Sequence, residues 1–252
     1  MATKTPMKCL VCDTTQQACS VAVATIGAVA DVADITDVSG AQDAPVHFYE
    51  EIGTGHAEHL PVMLDAALAR AGLSVSELDG VGVTTGPGTF AGVRVGLAAM
   101  RGFLVARKMP VYTITGLELM AQTHLAVSRV KSDLPLACVV DARRGQVYMQ
   151  RFTAGGAALT PPEVLPAAQA AAMLAAQRHV LIGTGATLLA DQPDAGADMA
   201  GYPKSDVLYP DAVNMLPLIQ QGRLPATDNP IPLYLRPPDA ALPKQDQRIK
   251  RQ

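Results

Sequence analysis

The chain has 252 residues, 49% of them hydrophobic, with no Trp and a formal net charge of −3. That length fits one large domain or two modest lobes, and the hydrophobic content is ample for a core. The charge excludes a broad basic surface, so nucleic-acid binding by the chain alone is not expected.

The first residues lack the apolar segment of a secretory signal. The most apolar window, 90–106, carries Arg94 and Arg101, which are costly in lipid, so no membrane span is expected. Cys9 and Cys12 have CxxC spacing inside a run that reads as a strand, where residues three apart point to opposite faces. No second pair completes a zinc site, and buried thiols in a reducing cytoplasm are expected. These features describe a soluble, cytoplasmic α/β protein.

Residues 8–12 read as a strand ending in Asp13-Thr14-Thr15, and 18–24 as a second strand, so 13–17 is a hairpin tip. Residues 31–44 are acidic and lack EF-hand spacing, which reads as an exposed insertion. A third strand is expected over 46–52. His56 and His59 then lead into a helix over 59–72, with Pro61 in its first turn and Gly72 as its cap. The two His are three apart rather than the four of a zincin helix and have no third ligand, so no metal is expected there. Leu60, Leu64, Ala67 and Ala71 form one apolar face, widened by Met63, Val62, Ala66 and Ala69.

After an apolar strand over 81–83, Gly86-Pro87-Gly88 makes a tight turn into a long helix over 90–108. Gly88, Gly92 and Gly96 share one face, and each interior Gly costs about 1 kcal/mol against Ala. Close approach of another backbone is the expected compensation. Arg94, Arg101 and Lys108 form a polar stripe. The turn matches neither a phosphate loop nor the dinucleotide fingerprint. Two readings stay open: an anion held on the helix N-terminal amides, or a structural turn that packs a helix closely on a sheet. The helices over 59–72 and 90–108 have more apolar circumference than one sheet face covers, and the surplus points to a partner surface.

A strand over 110–114 precedes a helix over 115–125, with Thr115 as N-cap and Glu118 in a capping box. Residues 136–140 form a strand ending in Asp141-Ala142-Arg143-Arg144-Gly145, and 146–152 alternate as its partner. This repeats the opening of the chain, and two copies of strand, Asp and hairpin point to two related lobes, 1–115 and 116–236. A helix over 166–177, a strand over 179–182 and a Gly183-Thr184-Gly185 turn follow. One more helix candidate covers 211–221, and 237–252 reads as a flexible tail with Lys244, Arg248, Lys250 and Arg251.

This pattern resembles the two-lobed actin/Hsp70/sugar-kinase superfold. Within it the chain is similar to the TsaB (YeaZ) family, a non-catalytic paralogue of the TsaD transferase in bacterial tRNA N6-threonylcarbamoyladenosine (t6A) synthesis. The residues that carry the resemblance are Asp13-Thr14-Thr15, Gly55 to Pro61, Thr85 to Gly96, Asp141 to Tyr148 and Leu233 to Pro237. The resemblance implies a pseudo-enzyme that binds and activates TsaD, with the TsaE ATPase joining the assembly and tRNA engaged only through it. It also implies homodimers when the chain is alone. TsaD carries a metal-binding His pair where this chain has Gly116 and Met120, so no catalytic residues or metal are expected. The implied partner interface comprises Leu60, Met63, Leu64, Ala67, Val95 and Ala99. No cofactor is expected for the chain by itself, with ATP or ADP only at the assembled interface.

Two alternatives from other classes compete. One is an ATP-dependent phosphotransferase of the same fold, with Asp13, Thr14 and Thr15 at the phosphates. The other is an M22-type glycoprotease-like peptidase, for which no His is spaced to serve a nucleophile or a metal. Arg143 and Arg144 read equally as a solvated tip or as a contact with tRNA or a partner protein.

Overall fold

The computed structural model describes residues 6–27, 44–129, 132–192 and 199–236. The acidic insertion and the basic tail fall, apart from Ala44, outside the described residues. Two sheets, each with the same 3-2-1-4 core, set the architecture. The first has the order β10-β5-β4-β1-β2-β3, built from β1 (Met7–Asp13), β2 (Ala18–Ile26), β3 (Val46–Glu51), β4 (Gly80–Thr84), β5 (Val111–Ile114) and β10 (Ala226–Thr227). The second has the order β8-β7-β6-β9, built from β6 (Leu136–Asp141), β7 (Gln146–Phe152), β8 (Glu163–Pro166) and β9 (Val180–Ile182). In both, an antiparallel hairpin carries the Asp at its tip and a parallel strand follows on the other side. This is the duplicated α/β arrangement the strand–Asp–hairpin repeat implied.

The layers alternate helix and sheet. Helices α1 (His56–Ala71) and α2 (Phe90–Ala106) cover one face of the first sheet, with Leu10, Cys12, Val21, Leu60, Leu64, Val83, Val93 and Leu97 in one core. The other face carries α6 (Met215–Gln220), preceded by a 3₁₀ turn at Ala212–Asn214, around Cys9, Val11 and Leu119. Cys9 and Cys12 therefore do lie on opposite faces. Helix α3 (Gly116–Val127) packs on the second sheet through Leu117, Met120 and Ala121, and α4 (Ala167–Ala175) and α5 (Ala186–Ala190) cover that sheet's far side.

Several expectations shift. Helix α1 starts at His56, because Gly55 takes the left-handed conformation (φ 88°) that turns the chain into it, and Pro61 sits in its second turn. Residues 212–227 belong with the first sheet rather than the second lobe. Met215, Leu216, Leu218 and Ile219 cover a sheet face that would otherwise meet water, and Ala226–Thr227 pairs with β5. The capping box of α3 forms: Thr115 Oγ1 accepts from the Glu118 amide at 3.1 Å, and Glu118 accepts from the Thr115 amide at 3.2 Å. Strands β8 and β10 were not legible in the sequence.

Candidate functional site

The hairpin tip between β1 and β2 is the centre of the molecule, and it is sealed. Asp13, Thr14, Thr15 and Gln16 are all buried. The glycines of the turn and of α2 are what seal it. A Cβ on Gly88 would stand 2.0 Å from the Thr15 carbonyl oxygen, and one on Gly92 would stand 2.0 Å from that of Thr14. The gap left by the missing side chains is filled with polar contacts. The Thr89 amide donates to Thr15 O at 2.7 Å, and the Thr14 hydroxyl donates to Gly92 O at 2.7 Å. The backbone approach expected from the glycine spacing is therefore made by this tip, and the structural reading of the Gly-Pro-Gly turn is the one the geometry supports.

Asp13 lies beneath this seal. Its Oδ1 accepts from the hydroxyls of Thr15 (2.7 Å) and Thr84, while Oδ2 has no hydrogen-bond partner among the described residues. Burial pushes the carboxyl up to about 6, against the pull of those hydrogen bonds. Asp13, Thr14 and Thr15, the residues considered for phosphates, are buried and do not line the cleft between the lobes. The second glycine turn is also committed to structure: the Gly183 amide donates to Val207 O (3.0 Å) and the Gly185 amide to Val139 O (2.9 Å).

The inter-lobe cleft has a volume of about 620 Å³, and Gln16, Phe90, Asp141, Arg143, Tyr148 and Tyr209 are among its walls. Its roof was not anticipated. Residues 230–236 run from α2 to the second lobe as a strap. Arg101 donates to Pro230 O (2.6 Å), the Leu233 amide to Thr85 O (2.7 Å), and Arg94 Nε to the Tyr234 hydroxyl (3.0 Å). The Arg94 guanidinium also lies 3.5 Å over the Phe90 ring. The strap ends on the β6–β7 tip, where Arg236 donates to Gln146 Oε1 and to Arg143 O (3.5 Å). The sequence signal for this strap was the polar stripe itself, since Arg94 and Arg101 need partners along α2.

Four of the six residues expected at the partner interface are turned toward the sheet. Leu60, Met63, Leu64 and Ala67 face the sheet and are buried, and Val95 and Ala99 are half-buried against the same core. The outer faces of α1 and α2 instead present Val62 and Ala69, and Ala91, Ala98, Gly102 and Val105. Val62 is 68% exposed and Val105 is 90% exposed, apolar side chains that nothing among the described residues covers. The helix period contained this answer, because the richest stripe of α1 is the one a sheet takes first.

Other groups with chemical potential lie in contacts within the fold. His56 is buried and its Nε2 is 3.1 Å from Ala18 O, while His59 lies 3.8 Å from Glu50. Burial pushes the Cys9 and Cys19 thiols up to about 12 and raises Cys12 and Cys138, which disfavours the reactive thiolate. The fold does bring His124 within 2.8 Å of Ser205, a pair hidden by 81 residues of separation. Ser205 Oγ also accepts from the Val207 amide at 3.1 Å, and neither residue lines the cleft between the lobes. No helix among the described residues is long and apolar enough to cross a membrane.

Residues 50–183, more than half of the chain, match the family model described as TsaD: tRNA N6-adenosine threonylcarbamoyltransferase. The chain belongs to this family. Its branch is TsaB/YeaZ. The tRNA threonylcarbamoyladenosine biosynthesis protein TsaB of Escherichia coli is 26% identical over 238 residues, covering 91% of this chain and 95% of that protein. The solved structure of YeaZ from Pseudomonas aeruginosa superposes with a TM-score of 0.71 at 25% identity, covering 91% of this chain and all of that one. An uncharacterised protein of Mycobacterium leprae is 32% identical over 193 residues, which are 73% of this chain and 45% of that longer protein.

Within the family, Gly116 and Met120 are the informative pair. They lie one turn apart on α3, facing the sealed tip. A Cβ on Gly116 would stand 3.2 Å from Thr15 Oγ1, and the Met120 thioether sits 3.3 Å from Gln16 Nε2. A glycine and a buried thioether offer a hard cation no imidazole at either position.

Proposed function

We propose that this chain is a non-catalytic subunit in tRNA t6A synthesis that docks a TsaD-type transferase through the outer faces of α1 and α2 and holds it in its active form. The observation that carries this reading is the pair of outward valines on the two helices, Val62 and Val105, uncovered among the described residues, on a chain similar to TsaB over 91% of its length. Val62 and Val105 are exposed, with Ala69, Ala91, Ala98 and Gly102 on the same outer faces beside Asp65, Arg94 and Arg101. Homodimers formed by the lone chain use the same face, so transferase and second copy compete for it. The TsaE ATPase joins the assembly, and tRNA reaches this chain only through it.

The chain's own residues fit a nucleotide poorly. Asp13 is under the seal, and the amides of Gly183 and Gly185 are already donated. ATP or ADP therefore belongs to the assembled interface rather than to the cleft. The same facts weigh against the phosphotransferase reading. The test is titration of the transferase into wild-type chain and into Val62→Asp/Val105→Asp, followed by calorimetry. A desolvated charge at the centre of a helix–helix contact costs several kcal/mol, so at least a hundredfold loss of affinity is expected. Unchanged affinity rejects this face as the docking site.

A further inference from the structure

The arginines at the tip of the second hairpin have no role in the docking account. Arg143 and Arg144 are consecutive left-handed residues, with φ of 66° and 58°, followed by Gly145 at 69°. Only the third of these is relieved of the Cβ penalty. Arginine in this region is strained, and such strain persists where the surrounding structure holds a side chain in place. Here Asp141 Oδ1 accepts from the Arg143 amide at 2.7 Å and Arg236 donates to the Arg143 carbonyl, so the turn is pinned from both sides. Both arginine side chains are exposed, that of Arg143 by 75%.

The strap adds a third guanidinium, Arg236, to the same tip. Asp141 stands 3.8 Å from Arg143. Tip and strap end together carry three arginines and one aspartate, a local surplus of positive charge on a chain of net charge −3. Guanidinium forks match phosphate geometry, and the tip, residues 141–145, carries none of the exposed aromatic or aliphatic anchors that centre a protein interface. It also stands on the second lobe, between β6 and β7.

We infer that Arg143, Arg144 and Arg236 form a contact for the phosphodiester backbone of an RNA. The inference rests on the proposed role in tRNA modification and names this chain's own part in holding the substrate. The contact is sequence-independent and works only in the assembly, because three arginines do not bind RNA stably alone.

The experiment uses the complex of this chain with the TsaD-type transferase and an ANN-decoding tRNA, with affinity read by fluorescence anisotropy at several salt concentrations. Arg143→Gln/Arg144→Gln should weaken binding about tenfold and lower the slope of log K against log salt by about two. Arg143→Lys/Arg144→Lys, which keeps the charge, should restore most of the slope. Arg143→Gly/Arg144→Gly accepts the left-handed backbone without penalty, so a weaker complex with tRNA at undiminished melting temperature separates contact from folding. Arg178→Gln, an exposed arginine elsewhere, should change nothing. An unchanged slope in the Gln double variant overturns the inference. So does loss of transferase or ATPase assembly with tRNA affinity intact, which makes the tip a protein contact, or loss of ATP affinity alone. If omitting the wild-type chain leaves t6A formation unchanged, the docking reading itself has failed; if the chain is required and the slope is unchanged, only the arginine contact has.

Discussion

The seal over the first hairpin tip makes Gly92→Ala the sharpest test of how the chain folds. Alanine is the better helix former by about 1 kcal/mol, so on an unconstrained helix this change stabilises. At Gly92 the new Cβ would stand 2.0 Å from the Thr14 carbonyl oxygen, where real Cβ contacts essentially never fall below 3.0 Å. Helix and tip must separate by roughly 1 Å, and the obstacle is backbone rather than a flexible side-chain end. Overpacking of this kind costs about 1–3 kcal/mol. The separation also stretches two buried hydrogen bonds, Thr14 Oγ1 to Gly92 O and the Thr89 amide to Thr15 O, each contributing about 1 kcal/mol. The net expectation is a loss of about 3 kcal/mol, a large share of a typical stability of about 5–15 kcal/mol. At Gly102, on the same helix, a methyl group would meet nothing within 4 Å, so Gly102→Ala should gain up to about 1 kcal/mol. Urea unfolding followed by far-ultraviolet circular dichroism measures both. If Gly92→Ala unfolds at or above the wild-type midpoint, the close-approach argument is wrong.

Three further predictions follow from the same geometry. Leu60→Ala should lose about 2–5 kcal/mol as a core truncation, whereas Val105→Asp should leave the lone chain's stability within about 0.5 kcal/mol, which urea midpoints distinguish. Asp13 is held near 6 when folded against 3.8 when free, so it takes up a proton on folding. The stability it contributes is complete below pH 3.8 and is lost as pH rises through 6, by about 3 kcal/mol in all; Asp13→Asn should flatten that part of the stability–pH curve. Arg94→Ala removes the strap's hold on Tyr234, and the Leu233 amide, bonded to Thr85 O, should then exchange with deuterium several-fold faster while the β1 amides do not change.

Much of the fold was legible because its signals are local. Alternation and turn residues marked both strand–Asp–hairpin units, and Thr115 with Glu118 marked the start of α3. The glycine period of four announced a close backbone approach, though not that the hairpin tip would supply it. What stayed hidden depends on distance along the chain. Residues 212–227 return to the first sheet through contacts a hundred residues and more away, as with the Ala212 amide on Ser20 Oγ. The strap is read only once α2's arginines are seen to need acceptors. Four of the expected interface residues turned out to face the sheet for a different reason. Periodicity identifies an apolar stripe but not its neighbour, and Leu60, Met63, Leu64 and Ala67 form the stripe the sheet claims. Of the outward positions, Val62 was counted into that apolar face and Val105 was not set apart from the apolar run of α2.

The central claim is that t6A synthesis depends on this chain although the chain does no chemistry itself. The direct measurement is reconstitution of the modification with a TsaC-type synthase, the TsaD-type transferase, TsaE, ATP, threonine, bicarbonate and tRNA, with and without this chain, reading threonylcarbamoyladenosine by mass spectrometry. Product that appears only with the chain present, and fails with Val62→Asp/Val105→Asp, is the predicted result. Product formed equally well in its absence contradicts the account.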